Sequence, residues 1–128
     1  MAMGNVQKLH LVETGHVDFS VIAELQKSVG VARYQEIADE VIFALTERIS
    51  QFCKVTAVGD AKAIIQRGTE VKLIAAKIGM AGVIDVTQAA MDTSARKDTT
   101  ALAALSARLV RIAEGSLFLV VQLDIQAP

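Results

Sequence analysis

The feature that most constrains this chain is an apolar stripe in its first half: Tyr34, Ile37, Val41, Leu45, Ile49 and Phe52 recur at steps of three and four residues. Such a period places all six on one face of an α-helix, whereas a half-buried strand would need alternation. Glu36, Asp39, Glu40, Glu47, Arg48 and Gln51 fill the intervening positions. Nothing in the interior forbids long helices, because the one proline is the terminal Pro128. Strong helix formers abound, while aromatic residues make up only 4% and tryptophan is absent; this disfavours an all-β sandwich. At 128 residues the chain is sized for one domain with its own core.

Other helices assemble around this one. A short first helix starts behind Asp18 or Ser20 as N-cap, carries Val21, Ile22 and Leu25, and stops at Gly30. Val58, Gly59 and Asp60 interrupt the long stripe, with Asp60 a natural N-cap for a third helix from Ala61 to about Ile78. Its inward face holds Ile64, Gly68, Val71, Ala75 and Ile78, small enough for close packing, and Gly79 closes it. A fourth helix, Gly82 to Ala95, turns Val83, Val86, Ala90 and Met91 inward, and a fifth carries Leu102, Leu105, Leu109 and Ile112. Beyond Gly115 the run Leu117 to Val121 is apolar on all sides. Between a buried helix end and a short strand over residues 116–125, helix is the expectation. Short loops force antiparallel neighbours, so the expected fold is all-α: an up-down-up-down four-helix bundle of helices two to five, with the short first helix across one end. Residues 1–16 read as a tail containing His10 and His16, and residues 17–126 as the domain.

Charge and motifs exclude more than they assign. The 13 basic and 14 acidic residues nearly cancel and form no block of one sign, so nucleic acid is not an expected partner. Met1 to Val12 lacks the pattern of a signal peptide, and no apolar run is long enough to span a bilayer. The lone Cys53 excludes an internal disulfide and fits a reducing, cytoplasmic setting. A mean hydropathy of +0.42 is high for a soluble protein of this size, which points to apolar surface left for a partner or a second copy. There is no glycine-rich phosphate loop, no paired metal-binding histidines and no nucleophile beside a base. No enzyme activity, metal or cofactor is expected.

One stretch carries a family pattern. After Gly59-Asp60 come Thr69, Glu70, Val71, Lys72, Leu73, Ile74, Ala75, Ala76, Lys77, Ile78 and Gly79. This resembles the signature of histidine phosphotransfer (HPt) domains of bacterial phosphorelays: His, any residue, Leu, Lys, Gly, Ser, Ala, two more, Leu, Gly, on the third helix of a bundle. The likeness extends to Val17-Asp18 with Val21, Leu25 and Gly30, to Tyr34 through Phe43, and to Met91-Asp92, covering residues 17 to 125. It implies a face that docks a receiver domain, formed here by Ile65, Thr69, Lys72, Leu73 and Ala76. Lys72 matches the lysine that lies near the phosphoryl group in the family; read by itself, it is an ordinary surface lysine.

Two departures bear on chemistry. Thr69 stands at the phosphoryl-accepting histidine, and Leu73 stands at the family's small glycine one turn on. Imidazole near its pKa is a good nucleophile and forms a phosphoramidate that transfers readily to an aspartate. A threonine hydroxyl without a base offers neither property. The leading expectation is therefore an HPt-like protein that binds a receiver domain of a response regulator, or a histidine kinase, without carrying phosphate. The alternatives are a self-associating structural bundle, a homodimer through its apolar face and the Leu117–Val121 segment, and an active relay in which His16 reaches the bundle face. The docking reading requires Leu73 to lie outside the core; a rotated third helix would bury it instead.

Overall fold

The computed structural model describes the backbone of residues 16–126 and side chains as far as Val120. These residues form five helices and no strand: α1 Phe19–Val29, α2 Val31–Val58, α3 Ala61–Ala76, α4 Ala81–Ser94 and α5 Thr99–Gln126. The all-α expectation holds. Of the expected tail, only His16 lies among the described residues; His10 lies outside them.

Local chemistry sets the helix ends. Asp18 caps α1 by accepting the amide of Ser20 at 3.1 Å, and the Ser20 hydroxyl and amide together hold the Asp18 carboxyl below the usual carboxylate range. Gly30, with φ 85°, is a one-residue joint between α1 and α2. Gly59 ends α2 in the left-handed region, its amide donating to the Val55 carbonyl at 3.0 Å. Asp60 then caps α3 through the Lys62 amide at 3.1 Å, and Asp98 caps α5 through the Ala101 amide at 3.0 Å. The α-helical part of α3 stops at Ala76, short of the expected Ile78, because the chain tightens into a turn in which the Met80 amide donates to Ala75 at 3.0 Å. Ile78 is nonetheless fully buried.

α2 packs on α3, α3 on α4, α4 on α5, and α5 returns to α2, closing a four-helix ring; α1 packs on α2. The buried face of α2 runs Tyr34, Ala38, Val41, Leu45, Ile49, Phe52 and Thr56. Ile37 and Leu105, expected inside, are half-buried at the edge of the core, since the 3.6-residue period centres α2 on Ala38 and α5 on Leu102 and Leu109. The apolar run after Gly115 is helical but not uniformly buried: Leu119 and Val120 enter the core while Phe118 is 56% exposed. Each fully buried large side chain, Phe52 and Leu45 among them, contributes roughly 1.5–3 kcal/mol.

Lengths are unequal. α2 and α5 have 28 residues each, α3 and α4 only 16 and 14; at 1.5 Å per residue the long pair spans about 42 Å and the short pair about half that. Four helices surround the core over one part of the molecule. At the other end α1 lies along α2. The chain enters this end through backbone hydrogen bonds, the Asp18 amide to the Gly79 carbonyl at 2.7 Å and the Gly82 amide to the His16 carbonyl at 2.9 Å. Gly79 has φ 68°, and a Cβ there would also strike the Asp18 carbonyl.

Gly68 lies at the centre of the ring. A Cβ built on it would meet Met91 Sδ of α4 at 2.6 Å and Phe52 Cε1 of α2 at 3.0 Å. Overpacking of this kind costs about 1–3 kcal/mol, against which the better helix propensity of alanine returns about 1. Gly68→Ala should lower the urea-unfolding free energy by up to about 2 kcal/mol in the native protein. In a Met91→Ala background the same change should be neutral or stabilising. A double-mutant cycle with no coupling between positions 68 and 91 would show that this contact does not limit the approach of α3 and α4.

Candidate docking face

Because α3 turns Ile64, Gly68, Val71 and Ala75 into the core, the residues about 100° further round must point outward. Ile65 is 46% and Leu73 65% exposed, and Thr69 and Ala76 are exposed with them. Leu73 is therefore not a core residue, which answers the question its apolar character left open. Together the four form an apolar strip along α3, with Thr69 between two aliphatic side chains one turn away on either side.

The Thr69 hydroxyl donates to the Ile65 carbonyl at 2.8 Å. Its proton is spent on the helix backbone, a pattern common for threonine inside helices. No carboxylate or imidazole among the described residues is bonded to it, so none of them raises its nucleophilicity.

Lys72 departs from the picture of a freely solvated surface lysine. Half-buried at the α3–α4 seam, its ammonium donates to Gln88 Oε1, and Gln88 Nε2 donates in turn to Asp92 Oδ1 at 2.9 Å. Two residues of α4 thus hold the Lys72 cation at one edge of the strip, Gln88 directly and Asp92 through Gln88. Gln88 and Asp92 were not among the expected site residues. Their spacing of four along α4 was legible, but their meeting with Lys72 depends on the register of α4 against α3. Farther round α3, Arg67 and Glu70 form an ion pair at 3.1 Å, with side chains 42% and 37% exposed; pairs this open contribute little stability.

His16 does not lie apart from the bundle, as the tail reading implied. It is half-buried against the start of α4, where a Cβ at Gly82 would meet its Cβ at 2.5 Å. The loss of side chain at Gly82 makes that seat. Its position at the α3–α4 turn is more than two helical turns along α3 from Thr69, over 10 Å by helix rise, so His16 does not reach the Thr69 face.

No helix among the described residues is long and apolar enough to cross a membrane, and no cluster of three or more His, Cys, Asp or Glu side chains among them could hold a metal ion.

No protein-family model matches the chain, and neither does any curated protein. Among solved structures, the crystal structure of histidine-containing phosphotransfer protein B from Pseudomonas aeruginosa PAO1 is similar, with a TM-score of 0.77 over 88% of this chain and 97% of that one, at 19% sequence identity. That likeness shows the fold: the chain is an HPt-like helical bundle.

The exposure of Leu73 has a direct consequence for folding. Leu73→Glu should shift stability by no more than about 0.5 kcal/mol, as surface changes do, while Leu45→Glu, which buries an unpaired charge, should unfold the domain. Thermal melting followed by far-UV circular dichroism separates the two. A large drop for Leu73→Glu would return this residue to the core. Leu25, first read as core, is only half-buried and is the poorer control.

Proposed function

We propose that this chain is a phosphotransfer-like docking protein of two-component signalling: it binds a receiver domain of a response regulator, or a histidine kinase, through the α3 strip and does not carry phosphate. The observation that carries this reading is Thr69 itself, which stands in the middle of an exposed apolar strip with its hydroxyl proton committed to the Ile65 carbonyl. The HPt-like fold and the α3 pattern supply the partner class.

The chemistry separates binding from transfer. Leu73, once covered, gives up the cost of exposing an aliphatic side chain and contributes roughly 1.5–3 kcal/mol. Ile65 and Ala76 extend the contact, and Lys72 presents a positive charge at its edge. Transfer would need a nitrogen nucleophile whose phosphoramidate is high in energy. A phosphothreonine ester holds its phosphoryl group too firmly to return it to an aspartate. The protein then acts by occupancy, sequestering or scaffolding a partner, and needs no cofactor. A reducing cytoplasm, where such partners reside and a lone Cys53 stays a thiol, is the setting that fits.

Mixed with a phosphorylated receiver domain, the native protein should accumulate no acid-labile phosphate, and mass spectrometry detecting stoichiometric phosphohistidine would overturn the reading. Leu73→Glu should abolish receiver or kinase binding in calorimetry while leaving the fold intact. Restoring transfer should take two changes. Thr69→His alone leaves Leu73 about 6 Å away between Cβ atoms, crowding an incoming aspartyl phosphate, so Thr69→His with Leu73→Gly should transfer faster even though the glycine costs roughly 1 kcal/mol of helix stability. Equal rates for the single and double variants would show that Leu73 does not obstruct the site.

A further inference from the structure

The meeting of Lys72 with Gln88 follows from the packing at Gly68. α3 and α4 are joined by a short turn and run antiparallel, and Met91 is the α4 residue seated against Gly68. One turn on along α3 from Gly68 is Lys72, and about one turn back along α4 from Met91 is Gln88, so the register that seats Met91 also brings these two side chains together. Both are half-buried, while Asp92, which accepts from Gln88 Nε2 at 2.9 Å, is exposed. An ammonium only donates and a carboxylate only accepts, whereas a side-chain amide does both. Gln88 therefore has one orientation that satisfies both neighbours, its carbonyl toward Lys72 and its amino group toward Asp92. The ammonium carries three donors. Among the described residues Gln88 Oε1 is its one acceptor, so the remaining donors are open to a ligand.

We propose that Gln88 and Asp92 are positioning residues of the docking face, which hold the Lys72 ammonium at the α4 edge of the strip to receive an acidic group of the partner. This rests on the docking reading above and adds the chemistry of the matching surface: an aliphatic patch that covers Leu73, with a carboxylate on the side facing α4. Lysine is a point charge on a flexible four-carbon stem, and a free one must be immobilised when a partner binds, at a cost in affinity. Gln88 supplies part of that order in the unbound protein. A glutamate at position 88 would also hold the ammonium, but it would set a full negative charge against it and leave little of its field for a partner. A neutral acceptor fixes the cation without cancelling it. On the opposite flank of α3 the Arg67 cation is opposed directly by Glu70 at 3.1 Å, which favours the α4 edge as the place for an anion.

Acetylation of the free full chain with an N-hydroxysuccinimide ester, read lysine by lysine in mass spectrometry, tests the hold without any partner. Lys72 should react several-fold more slowly than the exposed Lys62 and Lys77. Gln88→Met should remove most of that difference, and Asp92→Asn, whose amide carbonyl still accepts from Gln88, should not. A Lys72 rate that Gln88→Met does not move overturns the proposal. Calorimetry with a purified receiver domain that the native chain binds tests the use of the hold. Lys72→Met should weaken binding about tenfold and flatten its salt dependence, and Gln88→Met should weaken it roughly threefold. Gln88→Glu should cost at least as much as Lys72→Met, and melting temperatures should stay near that of the native protein throughout. In a Lys72→Met background Gln88→Met should have no further effect on affinity, since the two act as a unit. Additive losses, or full affinity in Lys72→Met, sink the proposal while leaving the docking reading in place. If no receiver domain binds the native chain, the docking reading fails and the proposal falls with it, even where Gln88→Met still speeds the labelling of Lys72.

Discussion

The structure depends on a missing side chain. Gly68 is where Phe52 of α2 and Met91 of α4 come together against the backbone of α3, at distances that a Cβ would not allow. Packing of this kind does more than bring axes together, because it also fixes the rotation of α3 about its own axis. With position 68 pressed inward, position 69 is carried outward by the 100° step of the helix, and positions 65, 73 and 76 follow it. The exposure of the apolar strip is thus a consequence of core packing one residue away, and the face and the core cannot be altered independently.

Much of this architecture was legible in the residues, for reasons that differ between elements. The helix ends could be read because Asp18, Asp60, Gly30 and Gly59 act locally, through short side chains that accept amide protons or backbones that tolerate positive φ. The α2 stripe could be read because burial along a 28-residue helix repeats often enough to show its period. Where every residue was apolar, as from Leu117 to Val120, periodicity carried no information, and only the packing of α5 separates buried Leu119 and Val120 from exposed Phe118. Leu73 posed the same difficulty, since an isolated leucine on a helix fits a core or an interface equally. The seating of His16 depended on Gly82, sixty-six residues farther along the chain, and the Lys72–Gln88–Asp92 chain on a register between two helices that no local pattern encodes.

The candidate site sets an unreactive hydroxyl within an apolar surface. Threonine satisfies its hydroxyl within its own helix, which a histidine ring at the same position would not do by the same route. Around it the helix offers aliphatic surface and a cation positioned from a neighbouring helix. Lys72 is held by a neutral amide, with the carboxylate of Asp92 one hydrogen bond farther away. An ammonium so held keeps more of its field than one in a direct ion pair, because the opposing charge is more distant.

The unequal helix lengths divide the molecule into two regions of different cohesion. Where α3 and α4 run beside α2 and α5, each long helix has neighbours on two sides; beyond the α3–α4 turn, the layer containing α1 is held by its packing on α2 and by backbone bonds at Asp18 and Gly82. Amide protons in these two regions report different opening events. Those of α1 exchange through detachment of a single short helix, a sub-global fluctuation, whereas those around Phe52 and Ile64 exchange only when the ring itself comes apart. Since the α1 layer is fastened at Gly79, immediately after α3, its detachment frees the end of the helix that carries the strip, and the lifetime of that small opening sets how rigidly the strip is presented.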